Sequence, residues 1–274
     1  MTGNIDEKVV AGFGDEWSRF DQSALSDSEL ESMFDNYFSI FPWDLLPPHA
    51  VGFDLGCGSG RLAKCVAPRV GKLILIDPSD AIEVAKRNLS DAGNCQFFRA
   101  GVEDIPIEDQ SCDFGYSLGV LHHVPDTMAG LQSCVNKLKP GAPFLLYLYY
   151  RFDNRPGWFR GIWKISDLLR RAICRLPYGL RFVVSQIVAA IVYFPLARLS
   201  FVLEKAGMNV SKVPLSQYRY NSLYTMRTDA LDRFGTSLER RFTKLEISDM
   251  MQSAGLGDIV FSSTSFWTAV GIKN

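Results

Sequence analysis

VGFDLGCGSGR, residues 51–61, carries the clearest structural signal in the 274-residue chain. An apolar run ends in an acid, and three glycines follow at every second position. This order predicts a buried first strand, a tight turn and the start of a helix. Glycine is needed where backbone approaches a ligand closely or takes a positive φ, and a helix N-terminus presents free N–H groups. The stretch therefore predicts a ligand-binding turn after strand one.

The chain beyond this turn alternates strands and helices. Strands are predicted at residues 51–55, 72–76, 95–99, 112–118 and 144–149, with helices at 61–67, 82–92 and 128–138. Nearly all-apolar strands that alternate with helices predict a parallel sheet covered on both faces. A helix at 246–254 and two strands at 258–261 and 266–272, joined by a short link, predict an antiparallel pair at the sheet edge.

Two segments lie outside this alternation. Ser26 followed by Glu29 is a capping-box pattern, and the apolar residues behind it predict an amphipathic helix that ends near Pro42. Residues 151–240 predict a helical insertion with helices at 157–176 and 180–206 and an irregular stretch after Gly207. The predicted division is an N-terminal helical segment (1–48), a core (49–150 and 241–274) and the insertion (151–240).

Composition argues against several classes of protein. The net charge of −1 gives no overall bias toward nucleic acid. Six cysteines form no CxxC pair and only three histidines are present, which argues against a structural zinc site, any other metal site and a disulfide scaffold. The N-terminus lacks the long apolar region of a secretory signal, so we expect a cytoplasmic protein.

Four segments meet at the carboxyl edge of the predicted sheet, where open α/β sheets bind ligands. They are the glycine turn, Asp77 after strand two, residues 101–104 after strand three and residues 117–126 after strand four. An acid at the position of Asp77 can accept hydrogen bonds from both ribose hydroxyls. A dinucleotide favours G-x-G-x-x-G, whereas the spacing here is G-x-G-x-G with Asp54 two residues before it. That spacing suits a nucleoside that carries an amino acid, whose ammonium group the acid can help to position.

Four motifs resemble the class I S-adenosylmethionine-dependent methyltransferases, in particular the branch that includes enzymes of ubiquinone and menaquinone biosynthesis. They are DLGCGSG (54–60), ILIDPS (74–79), VEDIPI (102–107) and LHHVPD (121–126), and the resemblance covers residues 50–150 and 242–274. It implies an α/β fold: a Rossmann-like, seven-stranded, mostly parallel sheet of order 3-2-1-4-5-7-6 with strand seven antiparallel. It also implies S-adenosylmethionine as the cofactor.

The resemblance assigns cofactor-binding roles at the sheet edge. It implies that the glycine turn lines the methionine part, that Asp77 holds the ribose, and that Pro78 or Ser79 lies by the adenine. In many relatives an Asp precedes the position of Val102; Gly101 stands there, so either Glu103 bonds the adenine amino group or backbone and packing hold the adenine. The cofactor-binding residues predicted in this way are Asp54, Gly56, Cys57, Gly58, Gly60, Asp77, Pro78, Val102, Glu103, Ser117 and Leu118.

Methyl transfer from a sulfonium is an in-line displacement, so the protein mainly aligns the acceptor and excludes water. We expect a small or lipid-like acceptor, with O- or C-methylation favoured. His122 and His123, predicted beside the sulfonium, either accept a departing proton or only shape the loop. A nucleic acid acceptor is disfavoured because no N-P-P-[YF]-type motif follows strand four. The alternatives are an NAD(P)-dependent oxidoreductase and a non-catalytic cofactor-binding scaffold.

The two flanking segments supply further candidates. Trp17, Arg19 and Phe20 either cover the ligand or pack on the core, and Tyr220, Arg227 and Asp229 either contact the substrate or form surface ion pairs.

The insertion itself leaves three interpretations open. Residues 182–197 lack charge, and residues 151–206 hold 10 basic and 3 acidic side chains. A single membrane crossing is excluded because strands six and seven must return to the same sheet. A cap or homodimer contact, a lid over an apolar substrate, and a peripheral membrane contact through residues 158–206 all remain possible.

Overall fold

The computed structural model describes residues 3–152, 155–264 and 267–274. The chain forms two compact units, one of Met1–Arg151 with Leu238–Asn274 and one of Phe152–Ser237. We call the first the sheet unit and the second the helical unit. The predicted three-part division of the chain stays a prediction, because compactness does not test it.

Seven strands form the sheet, in the order β3-β2-β1-β4-β5-β7-β6. Strands β1 to β5 pair in parallel, and β7 runs antiparallel to both of its neighbours. The predicted fold class and strand order are therefore confirmed. The predicted start of the last strand at residue 266 falls outside the described residues. The strands are β1 (Val51–Leu55), β2 (Lys72–Ile76), β3 (Cys95–Phe98), β4 (Phe114–Leu118), β5 (Pro143–Tyr147), β6 (Leu256–Phe261) and β7 (Thr268–Lys273).

Helices surround this sheet and build the second unit. Those of the sheet unit are α1 (Glu7–Arg19), α2 (Asp27–Phe38), α3 (Ala63–Val66), α4 (Ala81–Asn88), α5 (Thr127–Asn136) and α10 (Lys244–Ser253). Those of the helical unit are α6 (Gly157–Ile173), α7 (Tyr178–Val188), α8 (Phe194–Lys205) and α9 (Leu223–Gly235).

Two of these helices correct the sequence analysis, which placed no helix before Ser26 and an irregular stretch after Gly207. Helix α1 is capped by Asp6, whose carboxylate accepts hydrogen bonds from two amides of the first turn. Helix α9 is capped by Ser222, whose hydroxyl accepts from the Thr225 amide. The helical periodicity of Met226, Ala230 and Phe234 was present but lay among charged residues.

Side chains alternate between the two faces of the sheet. Phe53, Ile74 and Phe144 enter one core, which α5 and α10 cover. Leu75 and Tyr116 enter the other, which α2, α3 and α4 cover. This alternation is why both faces of the parallel strands are apolar. The carboxyl ends of β1, β2 and β4 are thereby fixed at one edge of the sheet.

Glycine and phenylalanine pack reciprocally between β1 and β4. Gly52 lies opposite Phe114, and Phe53 lies opposite Gly115. A methyl group on either glycine would collide with the phenylalanine ring of the other strand. Each ring therefore lies over backbone that only glycine leaves open.

Two helices of the helical unit join into one continuous helix. A π-helical turn, Ala189–Tyr193, joins α7 to α8, so that Tyr178–Lys205 forms a helix of 28 residues. We call it the long helix. It is long and apolar enough to cross a membrane, and 22% of its most apolar window is buried within the protein. Its buried side packs on α9 through Ala189, Tyr193 and Ala197.

Candidate active site

The glycine turn after β1 is tied to the end of β2. The amides of Gly56 and Cys57 donate to the Ile76 carbonyl at 2.7 and 3.1 Å. Gly56, Gly58 and Gly60 have φ of +76°, +53° and +72°, a region that side chains disfavour. The backbone at these three positions therefore has a conformation that favours glycine, in agreement with the sequence.

Asp77 closes the turn from the β2 side. Its Oδ2 accepts from the Gly58 amide at 2.9 Å, and its Oδ1 accepts from the Ser79 amide and hydroxyl at 2.9 and 2.6 Å. Burial raises the pKa of this carboxyl, while the hydrogen bonds from Ser79 and Gly58 oppose the rise. A carboxylate oxygen has two lone pairs, so Oδ2 can accept a further hydrogen bond from a ribose hydroxyl, whereas Oδ1 already accepts two.

Asp54 is the second buried acid of the site, with 5% of its surface exposed. Burial raises its pKa to about 8, and the Asp77 carboxylate acts in the same direction. The hydroxyl of Tyr116, which pairs with Asp54 across β1 and β4, opposes the rise. In the absence of ligand this carboxyl is therefore mostly protonated at neutral pH. A cation placed beside it would favour its ionised form.

The N-terminal segment packs on the predicted cofactor-binding segments. A Cβ atom on Gly58 would lie 3.0 Å from the indole of Trp17, and the Arg61 guanidinium lies 5.1 Å from the centre of that ring. Arg19, another candidate from this segment, pairs with Asp15 of the same helix at 2.8 Å. Phe20 is buried in the core. The packing interpretation thus fits Phe20, and Trp17 covers the glycine turn.

Residues 4 and 5 lie against the turn where the adenine is expected. The Asn4 amide donates to the Glu103 carboxylate, and the Asn4 side chain exchanges two hydrogen bonds with the backbone of Asp126, at 2.8 and 2.7 Å. A Cβ atom on Gly101 would collide with the side chain of Ile5. The absence of an Asp at position 101 thus has a structural reason: Ile5 occupies the space that its side chain would need.

The two histidines lie in a single helical turn, Leu121–His123, after β4. His122 is fully buried and stacks on Tyr149 at 3.8 Å between ring centres. Neither of its ring nitrogens has a hydrogen-bond partner among the described residues. Burial, the His123 ring and the charge of Arg241 lower its pKa well below the usual value for histidine. His122 is therefore neutral at physiological pH.

His123 is held differently. Its Nδ1 lies 2.6 Å from the Leu238 carbonyl oxygen. Because a carbonyl only accepts, Nδ1 carries the proton and Nε2 carries the lone pair. The ring also contacts Phe13 of α1, at 5.1 Å between centres. Both histidines are buried, with 4% of the surface of His123 exposed, and of the two only His123 has a tautomer fixed by a hydrogen bond among the described residues.

The other predicted cofactor residues lie along the same edge. Ser117 is fully buried and its hydroxyl donates to the Leu55 carbonyl at 3.0 Å, so its side chain braces β1 against β4. Burial raises the pKa of the Cys57 thiol well above its usual value, which makes a nucleophilic role for this sulfur unfavourable. Pro78 and Val102 lie in the segments that follow β2 and β3, and Leu118 is the last residue of β4. In the described part of the chain, no three His, Cys, Asp or Glu side chains are grouped to hold a metal.

The three candidate substrate residues of the helical unit are bonded within that unit. Arg227 donates from Nε to the Gln186 side chain at 2.5 Å. Asp229 accepts from the Tyr218 hydroxyl, and Tyr220 donates to Glu204. Their roles toward a substrate stay predictions.

Sequence reasoning missed Tyr116, Asn4 and Asn88 as residues of this site. Tyr116 was detectable, because pairing β1 with β4 places it opposite Asp54. Asn88 donates to the Ser59 carbonyl at 2.9 Å and to the Asp21 carbonyl at 2.8 Å, and so ties the glycine turn to the N-terminal segment. No local pattern indicates the roles of Asn4 and Asn88, because their partners are remote in sequence.

Comparison with known proteins agrees with this geometry. Residues 53–146 match the family model described as "Methyltransferase domain". A ubiquinone biosynthesis O-methyltransferase of Nitrosomonas europaea is 36% identical over 91 residues, which are 32% of this chain and 39% of the relative. A tRNA U34 carboxymethyltransferase of Alteromonas mediterranea is 32% identical over 124 residues, 39% of this chain and 37% of the relative. The chain thus spans about two fifths of the curated relatives it matches.

A solved structure extends the likeness to the fold. Human N-acetylserotonin methyltransferase in complex with S-adenosylmethionine superimposes with a TM-score of 0.55 at 18% identity. The superposition covers 96% of this chain and 56% of the human one. With the matched domain, the seven-stranded sheet of order 3-2-1-4-5-7-6 and the glycine turn, the chain carries a class I methyltransferase domain, the class whose cofactor is S-adenosylmethionine.

Proposed function

We propose that the protein is an enzyme that transfers the methyl group of S-adenosylmethionine to a small or lipid-like acceptor, at oxygen or carbon. The observation that carries the proposal is the pair of buried acids, Asp54 and Asp77, on the two sides of a turn whose three glycines have positive φ. A cationic amino acid joined to a ribose matches this set: Asp54 takes the ammonium group and Asp77 takes a ribose hydroxyl through Oδ2.

The other contacts to the methyl donor come from the protein backbone. Gly56, Gly58 and Gly60 leave room for the methionine part, and the Val102 amide faces the adenine edge. Trp17 covers the turn from the N-terminal side and keeps water out. The bound cofactor supplies an already activated methyl group, so these residues bind it, orient it and exclude water.

On the acceptor side, the relatives named as ubiquinone biosynthesis O-methyltransferases support a hydroxyl acceptor. A hydroxyl must lose its proton, and His123 offers the Nε2 lone pair for it. His122 is a poor base because its pKa is well below the usual value. We therefore assign proton removal to His123 and give His122 the role of holding the Leu121–His123 turn in place.

Three alternative functions have weaker support. The glycine spacing argues against an NAD(P)-dependent oxidoreductase. One relative is named as a tRNA-modifying enzyme, but the net charge of −1 gives little general affinity for RNA. A non-catalytic scaffold would bind the cofactor without transferring its methyl group.

The test has a binding arm and a transfer arm. S-Adenosylhomocysteine at about 100 times its Kd should stabilise the protein by about 2.7 kcal/mol, whereas NAD and NADP should leave Tm unchanged. Labelled methyl from S-adenosylmethionine should then appear on phenolic or catecholic acceptors with apolar tails. Asp77→Asn should weaken both effects, whereas Asp80→Asn, a change at an exposed acid nearby, should not. A Tm rise with NAD, or cofactor binding without transfer to any acceptor, would overturn the proposal.

A further inference from the structure

The outer face of the long helix is apolar and exposed. Its buried face, which packs on α9, includes Ala189, Tyr193 and Ala197. The opposite face bears large apolar side chains with 38% to 67% of their surface exposed. They are Leu180, Val183, Ile187, Ile191, Val192, Phe194, Leu199 and Val202.

No charge interrupts this face between Arg181 and Arg198. The sixteen residues 182–197 span about 24 Å of helix. Their polar members lie elsewhere: Ser185 and Tyr193 are buried, and Gln186 is bonded to Arg227. A contiguous apolar surface of this size on a protein marks a site of contact with another apolar surface.

Helix α6 repeats the arrangement with charges beside it. Its exposed apolar residues recur at helical spacing along one stripe, and Leu168, next to the stripe, is 70% exposed. The stripe consists of Trp158, Ile162, Ile165 and Leu169. Exposed basic residues lie to one side of the stripe, namely Arg160, Lys164 and Arg171 on α6 and Arg175 just beyond its end. Apolar stripes with Trp and flanking Lys or Arg are typical of helices that lie in a membrane interface.

Charge decides between the partners that such a surface could take. Residues 151–206 carry 10 basic and 3 acidic side chains. A second copy docking through the same face would bring two strongly positive surfaces together. An anionic lipid surface has the complementary charge and an apolar interior that accepts the side chains. RNA would match the charge but not the uncharged face of the long helix.

Topology decides the orientation. Strands β6 and β7 follow the helical unit in the chain and pair in the same sheet as β1 to β5, so the long helix cannot cross the bilayer alone. A helical hairpin with α6 would place Arg160, Lys164 and the Asp167–Arg170 pair in hydrocarbon, which is unfavourable. The helices therefore lie in the plane of the interface.

We propose that the helical unit docks on the surface of an anionic lipid bilayer, with the outer face of the long helix and the stripe of α6 in the boundary between headgroups and acyl chains. The lateral basic side chains then contact the anionic headgroups. The inference rests on the exposed surface alone and does not require the proposed methyl transfer.

The first experiment measures co-sedimentation of the full chain with vesicles. We expect binding to phosphatidylcholine vesicles that contain about a third phosphatidylglycerol, and at least tenfold weaker binding to pure phosphatidylcholine. Ile187→Glu/Ile191→Glu should reduce binding to the anionic vesicles by more than tenfold. Leu245→Glu is the control, because Leu245 is at least as exposed as Ile187 and Ile191 but lies on α10 of the sheet unit. This variant should bind like the parent.

The second experiment tests the charges. Each Lys or Arg near an anionic surface contributes about a fivefold gain in affinity. Arg160→Gln/Lys164→Gln should therefore weaken binding by more than tenfold at low salt, whereas Lys86→Gln/Arg87→Gln on α4 should not. Unchanged Tm and circular dichroism of each variant exclude loss of folding as the cause.

Three results would overturn the proposal. One is the absence of co-sedimentation with anionic vesicles at low salt. Another is a stable dimer that Ile187→Glu/Ile191→Glu dissociates, with no vesicle binding by the parent. The third is tight binding to RNA that the glutamate variants leave intact while vesicles fail to compete.

Discussion

Replacing Asp54 with Asn should remove most of the pH dependence of cofactor binding. In the ligand-free protein the pKa of Asp54 is raised to about 8, chiefly by burial. The ammonium group of the cofactor favours the carboxylate and lowers this pKa in the complex. Cofactor binding must therefore release a proton from Asp54 below pH 8, and the affinity must fall as the pH falls.

The size of the effect follows from that pKa. With a value of about 8, about nine tenths of the Asp54 carboxyls are protonated at pH 7, and about that fraction of a proton is released per cofactor bound. The apparent Kd should rise about fivefold from pH 8 to pH 7 and about ninefold from pH 7 to pH 6. Above pH 9 this dependence disappears.

The same carboxyl affects folding with a defined sign. Its pKa in the folded, ligand-free state lies above the ordinary value of 3.8, so the folded state binds the proton more tightly. Its contribution is fully present below about pH 4 and declines by about 1.4 kcal/mol per pH unit until about pH 8. Asp54→Asn, which stays neutral, should therefore have a higher Tm than the parent at pH 8 and a similar one at pH 4.

Calorimetric titration with S-adenosylmethionine from pH 6 to 8 measures the Kd. Repeating it in two buffers of different ionisation enthalpy measures the proton release. The pH dependence of Kd for Asp54→Asn comes from the remaining titrating groups, including the ligand's amino group and Asp77. The difference in pH dependence between the two proteins therefore gives the contribution of Asp54. The reasoning is refuted if the parent's Kd is constant between pH 6 and 7.5, or if Asp54→Asn keeps the parent's slope.

Four further substitutions test the site. Gly56 has φ +76° and lies against the Val120 side chain, so Gly56→Ala should destabilise the protein by about 2 kcal/mol or more in urea unfolding. A free energy of unfolding within about 0.5 kcal/mol of the parent's, the scatter typical of surface sites, contradicts the need for glycine. Asp77→Asn should weaken S-adenosylhomocysteine binding by about tenfold or more in calorimetry, since a charge-assisted hydrogen bond contributes about 1.5–3 kcal/mol; unchanged affinity would remove it from the ribose site. Trp17→Ala should raise the Kd of the same ligand roughly threefold or more because an aromatic cover is lost, and tighter binding would instead mean that the indole obstructs the site. His123→Gln should lower kcat/KM by about a hundredfold, whereas His122→Gln should leave kcat/KM within about threefold of the parent. The reverse order contradicts the assignment of the base.

The spacing of residues along the chain predicted the features of the site that neighbouring residues determine, namely the glycine turn and the acid after β2. Glycines at every second position after an apolar strand predicted a close backbone approach or a positive φ, and all three have a positive φ. Asp77 was predicted at the end of β2, and it bonds the turn through Gly58. The order of the strands came from resemblance, because pattern alone does not rank parallel strands across a sheet.

Helices α1 and α9 show where local pattern was insufficient. Glycine at position 14 weakens helix propensity in α1, yet α1 forms with this glycine packed against the start of α4, where a Cβ atom would lie 3.5 Å from the Asp80 amide nitrogen. In α9 the apolar face was masked by interspersed charges, and packing on the long helix stabilises it. Tertiary contacts override propensity in both.

The sequence by itself determined the glycine turn, the two acids and the apolar strands, because φ requirements and side-chain alternation are properties of neighbouring residues. Only the tertiary structure decided that Asp54 has a raised pKa, because that shift arises from burial and from Asp77, which follows a different strand. It also decided that Trp17, Asn4 and Ile5 lie on the glycine turn and its neighbours. Contacts between remote segments depend on how the whole chain packs, and no local pattern of residues encodes them.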